Sequence, residues 1–386
     1  MAFLQFLTHI VTSILVSYLA LTNTLAQHIE TLFIDAKIEP RAEQTQASTD
    51  VPHSAFEKVA HTSDQLSHSI SNILREHAGF QRAALFASNR DDSPFSLPTD
   101  KSLTENIQDV LVNIYCQYKT DEYIRTTTGT GFFINPKGII LTNAHVAQFL
   151  LLENMESTTG SVSCVIRSGN PATPKYHAQL LYISPTWVFD NADLITNEAP
   201  RGTGERDYAL LYVSESIDQS PLPARFPAIN IATDLLPQSI TGSDVMTAGY
   251  PAEALMRSGA DAKLFPIVAE TTLGTLYTFG SNYADIFSIS ESPVGEQGAS
   301  GGPIVTKDAE SVIGLIVTKG DEVAEGEHSL RALTLSYIDR TIIEETGFSL
   351  TQNMQGDIAH RGYIFKSAMV PFLAEILEEK LADDTH

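Results

Sequence analysis

From about Ile107 onward the sequence predicts a mainly β fold, two antiparallel barrels followed by a C-terminal helix. Three observations predict it. Short β-rich runs recur in two sets of six. Turn residues separate them. No regular alternation of strand and helix intervenes, which argues against a parallel sheet. The first set is Val110 to Tyr115, Gly131 to Ile134, Ile139 to Thr142, Val162 to Ile166, Gln179 to Ile183 and Tyr208 to Val213. The second is Asp244 to Ala248, Pro266 to Leu276, Ile286 to Ser290, Pro303 to Thr306, Val312 to Thr318 and Arg331 to Ser336. The helix is expected over Ser367 to Leu381, with Met369, Phe372, Leu373, Ile376, Leu377 and Leu381 on one face. Pro371 is tolerated only in a first turn, so the helix begins near it.

The 386 residues suffice for one large domain or two lobes with extra segments, and a hydrophobic fraction of 43% fills a core. The balance of 24 Lys+Arg against 47 Asp+Glu gives a net charge of −23. A field of that sign excludes nucleic acid and anionic lipid as surface partners. Met1 to Ile29 holds no Lys, Arg, Asp or Glu, and Phe3 to Leu21 is mostly apolar. With Thr24-Leu25-Ala26 as a small-residue cleavage site, residues 1–26 read as a signal peptide or an uncleaved membrane anchor. Either implies export, secreted or anchored, and attachment to a membrane only through this segment. Residues 27–103 are polar and Pro-punctuated, linker-like, with one loose helical period over Ala55 to Ala78. His53, His61, His68 and His77 lie there at irregular spacing, so no metal is expected. Cys116 and Cys164 are too few for a disulfide scaffold and fit no zinc spacing; they are one bridge or two buried thiols.

Three blocks carry the chemistry. In the first, Gly129 to Ile134 and Ile139 to Thr142 flank the turn Asn135-Pro136-Lys137-Gly138, so they pair as a hairpin. His145 follows at a strand-to-helix corner, where Thr142 or Asn143 is positioned to cap the helix. In the second, Asp207 opens the apolar strand Tyr208 to Val213. A carboxylate at a core needs a partner, and a histidine N–H serves. Asp193 is a rival, without a strong apolar strand behind it. In the third, Gly295, Gly298, Gly301 and Gly302 surround Ser300. Acyl transfer needs such a turn: Gly298 can aim its N–H, with that of Ser300, at a developing oxyanion. Taken singly, His145 and Asp207 read as ordinary structural residues.

Taken together, in the order His, Asp, Ser, the blocks resemble the trypsin-like (chymotrypsin-fold) serine proteases. They resemble most the bacterial HtrA/Deg branch, through Thr142-Asn143-Ala144-His145-Val146, Asp207-Tyr208-Ala209-Leu210-Leu211 and Gly298-Ala299-Ser300-Gly301-Gly302-Pro303. The resemblance spans roughly residues 105 to 345 and is dense only in the blocks. It implies a double antiparallel β-barrel with the site between the barrels, over 104–345, and a helical extension over 346–386 without a PDZ domain. It implies His145 as base, Asp207 as orienting group, Ser300 as nucleophile, and Gly298 and Ser300 N–H groups as the oxyanion hole. Ala299 replaces the acid that captures a new N-terminus in the digestive enzymes, so that trigger is absent. Val294 stands where a trypsin-type specificity carboxylate belongs, which favours a small or apolar substrate side chain. Thr318, Lys319 and Gly320 align with the strand that pairs with substrate backbone. The resemblance makes the strands of Cys116 and Cys164 neighbours, so a disulfide is expected.

The expected function is a serine endopeptidase acting on polypeptides through an acyl-enzyme, without cofactor or metal. A catalytically silent binding protein on the same fold, or an esterase, are the alternatives. Substrate, oligomeric state, regulation and the role of the 184–205 insertion are not encoded legibly.

Overall fold

A reciprocal cap starts the described chain. Ser102 Oγ accepts the Glu105 N–H and the Glu105 carboxylate accepts the Ser102 N–H, satisfying two donors that a helix start leaves over. The helix that follows, α1 (Leu103–Val110), buries Ile107 and Val110 and runs straight into strand β1 (Leu111–Lys119). The β1 start is therefore one residue later than the sequence pattern placed it. The computed structural model describes residues 101–120, 124–153, 160–196, 203–252, 263–290, 292–294, 298–308, 310–319 and 330–383. The N-terminal signal or anchor, the four spaced histidines and nearly all of the linker-like region lie outside them.

Barrel 1 follows. β2 (Ile124–Asn135) and β3 (Ile139–Thr142) form the hairpin around Pro136-Lys137-Gly138, with Gly138 at φ +85°. A short helix α2 (Ala144–Ala147) and a 3₁₀ turn lead to β4 (Ser161–Ser168) and β5 (Thr173–Ile183). Ser184 Oγ then caps α3 (Pro185–Asn191) by accepting the Trp187 N–H, so the 184–205 insertion holds a helix that buries Trp187 and Val188. β6 (Ala209–Ser216) completes the ring β1-β2-β3-β6-β5-β4, which closes between β4 and β1. Closure leaves no strand edge unpaired. Cys116 and Cys164 are Cα partners across that closing pair and form a disulfide, with Cα atoms 4.1 Å apart. Inside, Ile114, Phe132, Ile140, Leu141 and Leu210 have no exposed surface.

Barrel 2 contains β8 (Asp244–Gly249), β9 (Ile267–Tyr277), β10 (Ile286–Ile289), β11 (Pro303–Thr306), β12 (Ser311–Lys319) and β13 (Leu330–Thr334). The order β11-β8-β9-β10-β13-β12 returns on itself through β11–β12 pairing. A two-residue strand that the sequence pattern missed, β7 (Asn230–Ile231), joins β12 in parallel. Val245, Leu273, Phe287 and Ile304 form its dry interior. Both barrels agree with the predicted fold class.

The C-terminal part departs from the sequence pattern in detail. The strand expected to reach Ser336 stops at Thr334, because Thr334 Oγ accepts the Tyr337 N–H at 3.0 Å and starts helix α4 (Leu335–Thr346). Gly347 at φ +78° ends it. α5 (Leu350–Asn353) and α6 (Ile358–Ala368) follow. The expected last helix is α7 (Val370–Asp383), with Pro371 in its first turn and Leu373, Leu377 and Leu381 buried.

The Cys116–Cys164 bridge joins residues 48 apart. A cross-link of that span limits the unfolded chain, so Cys116→Ala with Cys164→Ala is expected to lower unfolding free energy by about 2–4 kcal/mol. Urea unfolding of oxidised protein and double variant measures it; coincident curves would show that the barrel closes equally well without the bridge.

Candidate active site

His145 is held by a carboxylate from another strand, not by a neighbour in sequence. It is the second residue of α2, whose first turn exposes unpaired N–H groups. Neither residue expected to cap that turn does so. Thr142 Oγ donates instead to Thr130 O at 2.7 Å, and Asn143 Nδ2 donates to Asp207 O at 2.9 Å. The cap comes from Asp207: its Oδ1 accepts the His145 backbone N–H at 3.0 Å. The other oxygen, Oδ2, lies 2.7 Å from His145 Nδ1. A carboxylate only accepts, so a ring proton belongs on Nδ1, and in the neutral ring the lone pair is then on Nε2. The Asp207 side chain is 6% exposed and the His145 side chain 17%. The carboxylate is thus shielded while the ring is reachable from solvent.

The turn that carries Asp207 is wound tightly. Asp207 N–H donates to Gly204 O and Tyr208 N–H to Arg206 O. Arg206 sits at φ 55°, a left-handed conformation uncommon for a residue with a side chain. Asp193, the rival orienting group, is exposed on a 3₁₀ turn, and among the described residues no hydrogen bond or ion pair joins its side chain to His145.

Ser300 lies in the turn before β11. Its carbonyl accepts the Thr130 N–H at 2.8 Å, and Thr130 belongs to β2 of the opposite barrel. Thr130 Oγ donates to Gly298 O at 2.6 Å and accepts the Tyr250 N–H at 2.9 Å. These bonds seat the Ser300 turn against the strand pair that leads into His145. Gly298 adopts φ +93°, and a Cβ there would stand 2.6 Å from Tyr250 O, so no other residue fits without displacing backbone. Among the described residues, the N–H groups of Gly298 and Ser300 meet no acceptor. Backbone donors without an acceptor are the kind of group that stabilises an oxyanion. Among the same residues, no hydrogen bond joins the His145 ring to the Ser300 hydroxyl.

The remaining candidates are placed as follows. Val294 has no exposed surface and belongs, with Ala299, to the second core cluster. Thr318 and Lys319 lie on β12, paired with Arg331 and Leu330 of β13. Gly320 falls outside the described residues. No three His, Cys, Asp or Glu side chains group as a metal site among the described residues. The sequence pattern missed Thr130 and Tyr250, which register the two barrels. Thr130 had one signal, a lone polar side chain between Gly129 and Gly131.

Residues 129–315 match a family model described as a trypsin-like peptidase domain, and His145, Asp207 and Ser300 all fall inside the match. Among solved structures the chain is similar to the Rv3671c protease from M. tuberculosis in its active form, at 18% identity and a TM-score of 0.38. That similarity covers 66% of this chain and 94% of the other. No curated protein matches the chain.

Thr130→Val keeps the shape and removes the hydroxyl. It leaves Gly298 O and Tyr250 N–H without their partner, and a loss of about 1–3 kcal/mol in stability is expected. Chemical unfolding measures it, and a variant as stable as the parent would mean water replaces the hydroxyl at this seam.

Proposed function

We propose that this trypsin-like peptidase domain is a serine endopeptidase, cleaving polypeptides through an acyl-enzyme formed on Ser300. The observation that carries the proposal is the two-point hold of Asp207 on His145, which fixes both the backbone and the tautomer of the ring. With Nδ1 protonated, Nε2 accepts the Ser300 proton as Oγ attacks the scissile carbonyl. Asp207 stabilises the imidazolium that results. The Gly298 and Ser300 N–H groups receive the charge that develops on the carbonyl oxygen. His145 then protonates the leaving amine, and water enters to release the acid by the reverse route. The scheme calls on no metal or cofactor.

The proposal extends to specificity and place. Val294 in the position of a specificity carboxylate favours a small or apolar substrate side chain. The backbone of Thr318 to Gly320 is assigned to pair with substrate. The disulfide supports work outside a reducing cytoplasm. No helix among the described residues is long and apolar enough to cross a membrane. Residues 1–26 serve, in this reading, as a cleaved signal peptide or as a membrane anchor.

That no hydrogen bond joins His145 to Ser300 among the described residues favours a second reading, a silent binding protein on this fold. Catalytic hydrogen bonds are often long in ligand-free enzymes and tighten when substrate arrives, so the first reading stands. A fluorophosphonate probe separates them. The parent should label and Ser300→Ala should not; Asp207→Asn should lower kcat by about 10⁴-fold by favouring the wrong tautomer. Peptide hydrolysis that survives Ser300→Ala would end the proposal, and turnover of esters without peptides would make the protein an esterase.

A further inference from the structure

Asp207 lies between two residues that are both held by one face of helix α4. On one side, the Arg206 N–H donates to Tyr337 Oη at 3.2 Å. Its guanidinium reaches Glu345 Oε1 at 2.9 Å and Glu344 Oε2 at 3.1 Å. On the other side, Tyr208 Oη and Thr341 Oγ1 are 2.8 Å apart. Residues 337, 341, 344 and 345 recur at helical spacing, so they share a face. That face is directed at the turn, and its polar groups meet the turn on both sides of the carboxylate.

The anchor on α4 is itself fixed. Glu345 is fully enclosed, with a side chain 3% exposed. Tyr182 Oη and Ser184 Oγ, from β5 and the start of the 184–205 insertion, both donate to its carboxylate. Burial pushes the Glu345 carboxyl up to about 8. Midway along the helix, Arg340 Nη2 meets Asp285 Oδ1 of barrel 2 at 2.5 Å. Asp285 also accepts the Phe279 N–H and the hydroxyls of Thr278 and Ser281. One helix is thus tied to the strand region bearing Asp207 and to the barrel bearing Ser300.

A left-handed residue next to a functional carboxylate needs a surrounding that holds it there. Arg206 at φ 55° is held by the turn itself, where its carbonyl accepts the Tyr208 N–H, and by α4, which meets its N–H and its guanidinium.

We infer that Arg206, Tyr337 and Glu345 are positioning residues for the reaction, and that α4 aims the Asp207 carboxylate at His145. The inference rests on the triad assigned above. None of the three touches substrate or the reacting atoms. Their loss acts on the tautomer and orientation of the histidine, hence on kcat rather than on KM.

The test uses the whole chain with Tyr337→Phe, Arg206→Lys and Glu345→Gln, and Glu270→Gln as a control at the exposed Lys307–Glu270 pair. Each variant is read by peptide kinetics and by the low-field proton resonance of His145 Nδ1–H. Glu345→Gln is expected to lower kcat about 10- to 100-fold with KM within about twofold, as a small misplacement of a catalytic group does. Its low-field resonance should shift or broaden. Tyr337→Phe and Arg206→Lys should move both readouts in the same direction by less, and the control should move neither. Folded variants with unchanged kcat and an unchanged resonance would overturn the inference. So would failure of even Tyr337→Phe to fold, since the cluster would then serve the fold alone. If the parent neither labels nor hydrolyses peptides, the endopeptidase reading fails while the resonance still decides whether α4 aims Asp207.

Discussion

One buried threonine joins the two halves of the candidate site. Every polar group of Thr130 is engaged: its N–H with Ser300, its hydroxyl with Gly298 and Tyr250, its carbonyl with Thr142. Three of those partners belong to barrel 2 while Thr130 belongs to barrel 1. Apolar faces alone fix the distance between two barrels but allow sliding, because dispersion and hydrophobic attraction have little direction. Hydrogen bonds in a dry seam fix the register. The contact exists because Gly301 lacks a side chain: a Cβ there would lie 2.0 Å from the Thr130 carbonyl.

Within barrel 1 the same economy recurs at Asp207. One carboxylate closes the open end of α2 and orients the imidazole on that helix. A helix start with spare N–H groups attracts negative charge, so the fold supplies a reason for the carboxylate to sit there before any chemistry is considered. Histidine backbone and ring then move together with Asp207, and anything that fixes Asp207 fixes both. The α4 face reaches that carboxylate through the residues next to it.

Fold class and triad candidates were legible because they leave short, local marks. Strand runs between turn residues give two barrels, and Asn135-Pro136-Lys137-Gly138 marks the hairpin before His145. The Ser300 turn shows its constraint as repeated glycine, two of which take positive φ. What escaped has no local mark. The cap on α2 was read as Thr142 or Asn143 because a cap is usually a neighbour, whereas Asp207 is 62 residues away. The end of β13 was placed too late because Leu335 and Ser336 suit either state; only the Thr334 hydroxyl decides. The 184–205 insertion gave no signal of its role because Ser184 meets its partner, Glu345, 161 residues later.

That long reach has a temporal side. A polypeptide emerges from its N-terminal end, so barrel 1 leaves the ribosome well before α4. Arg206 then waits 139 residues for Glu345. During that interval His145 and Asp207 can meet, but the turn beneath Asp207 lacks its brace and the Ser300 loop has not been made. Contacts this far apart along a chain form late. A nascent chain therefore presents His145 and Asp207 before the Ser300 turn exists, and the candidate site gains its α4 brace only once residue 345 has been made.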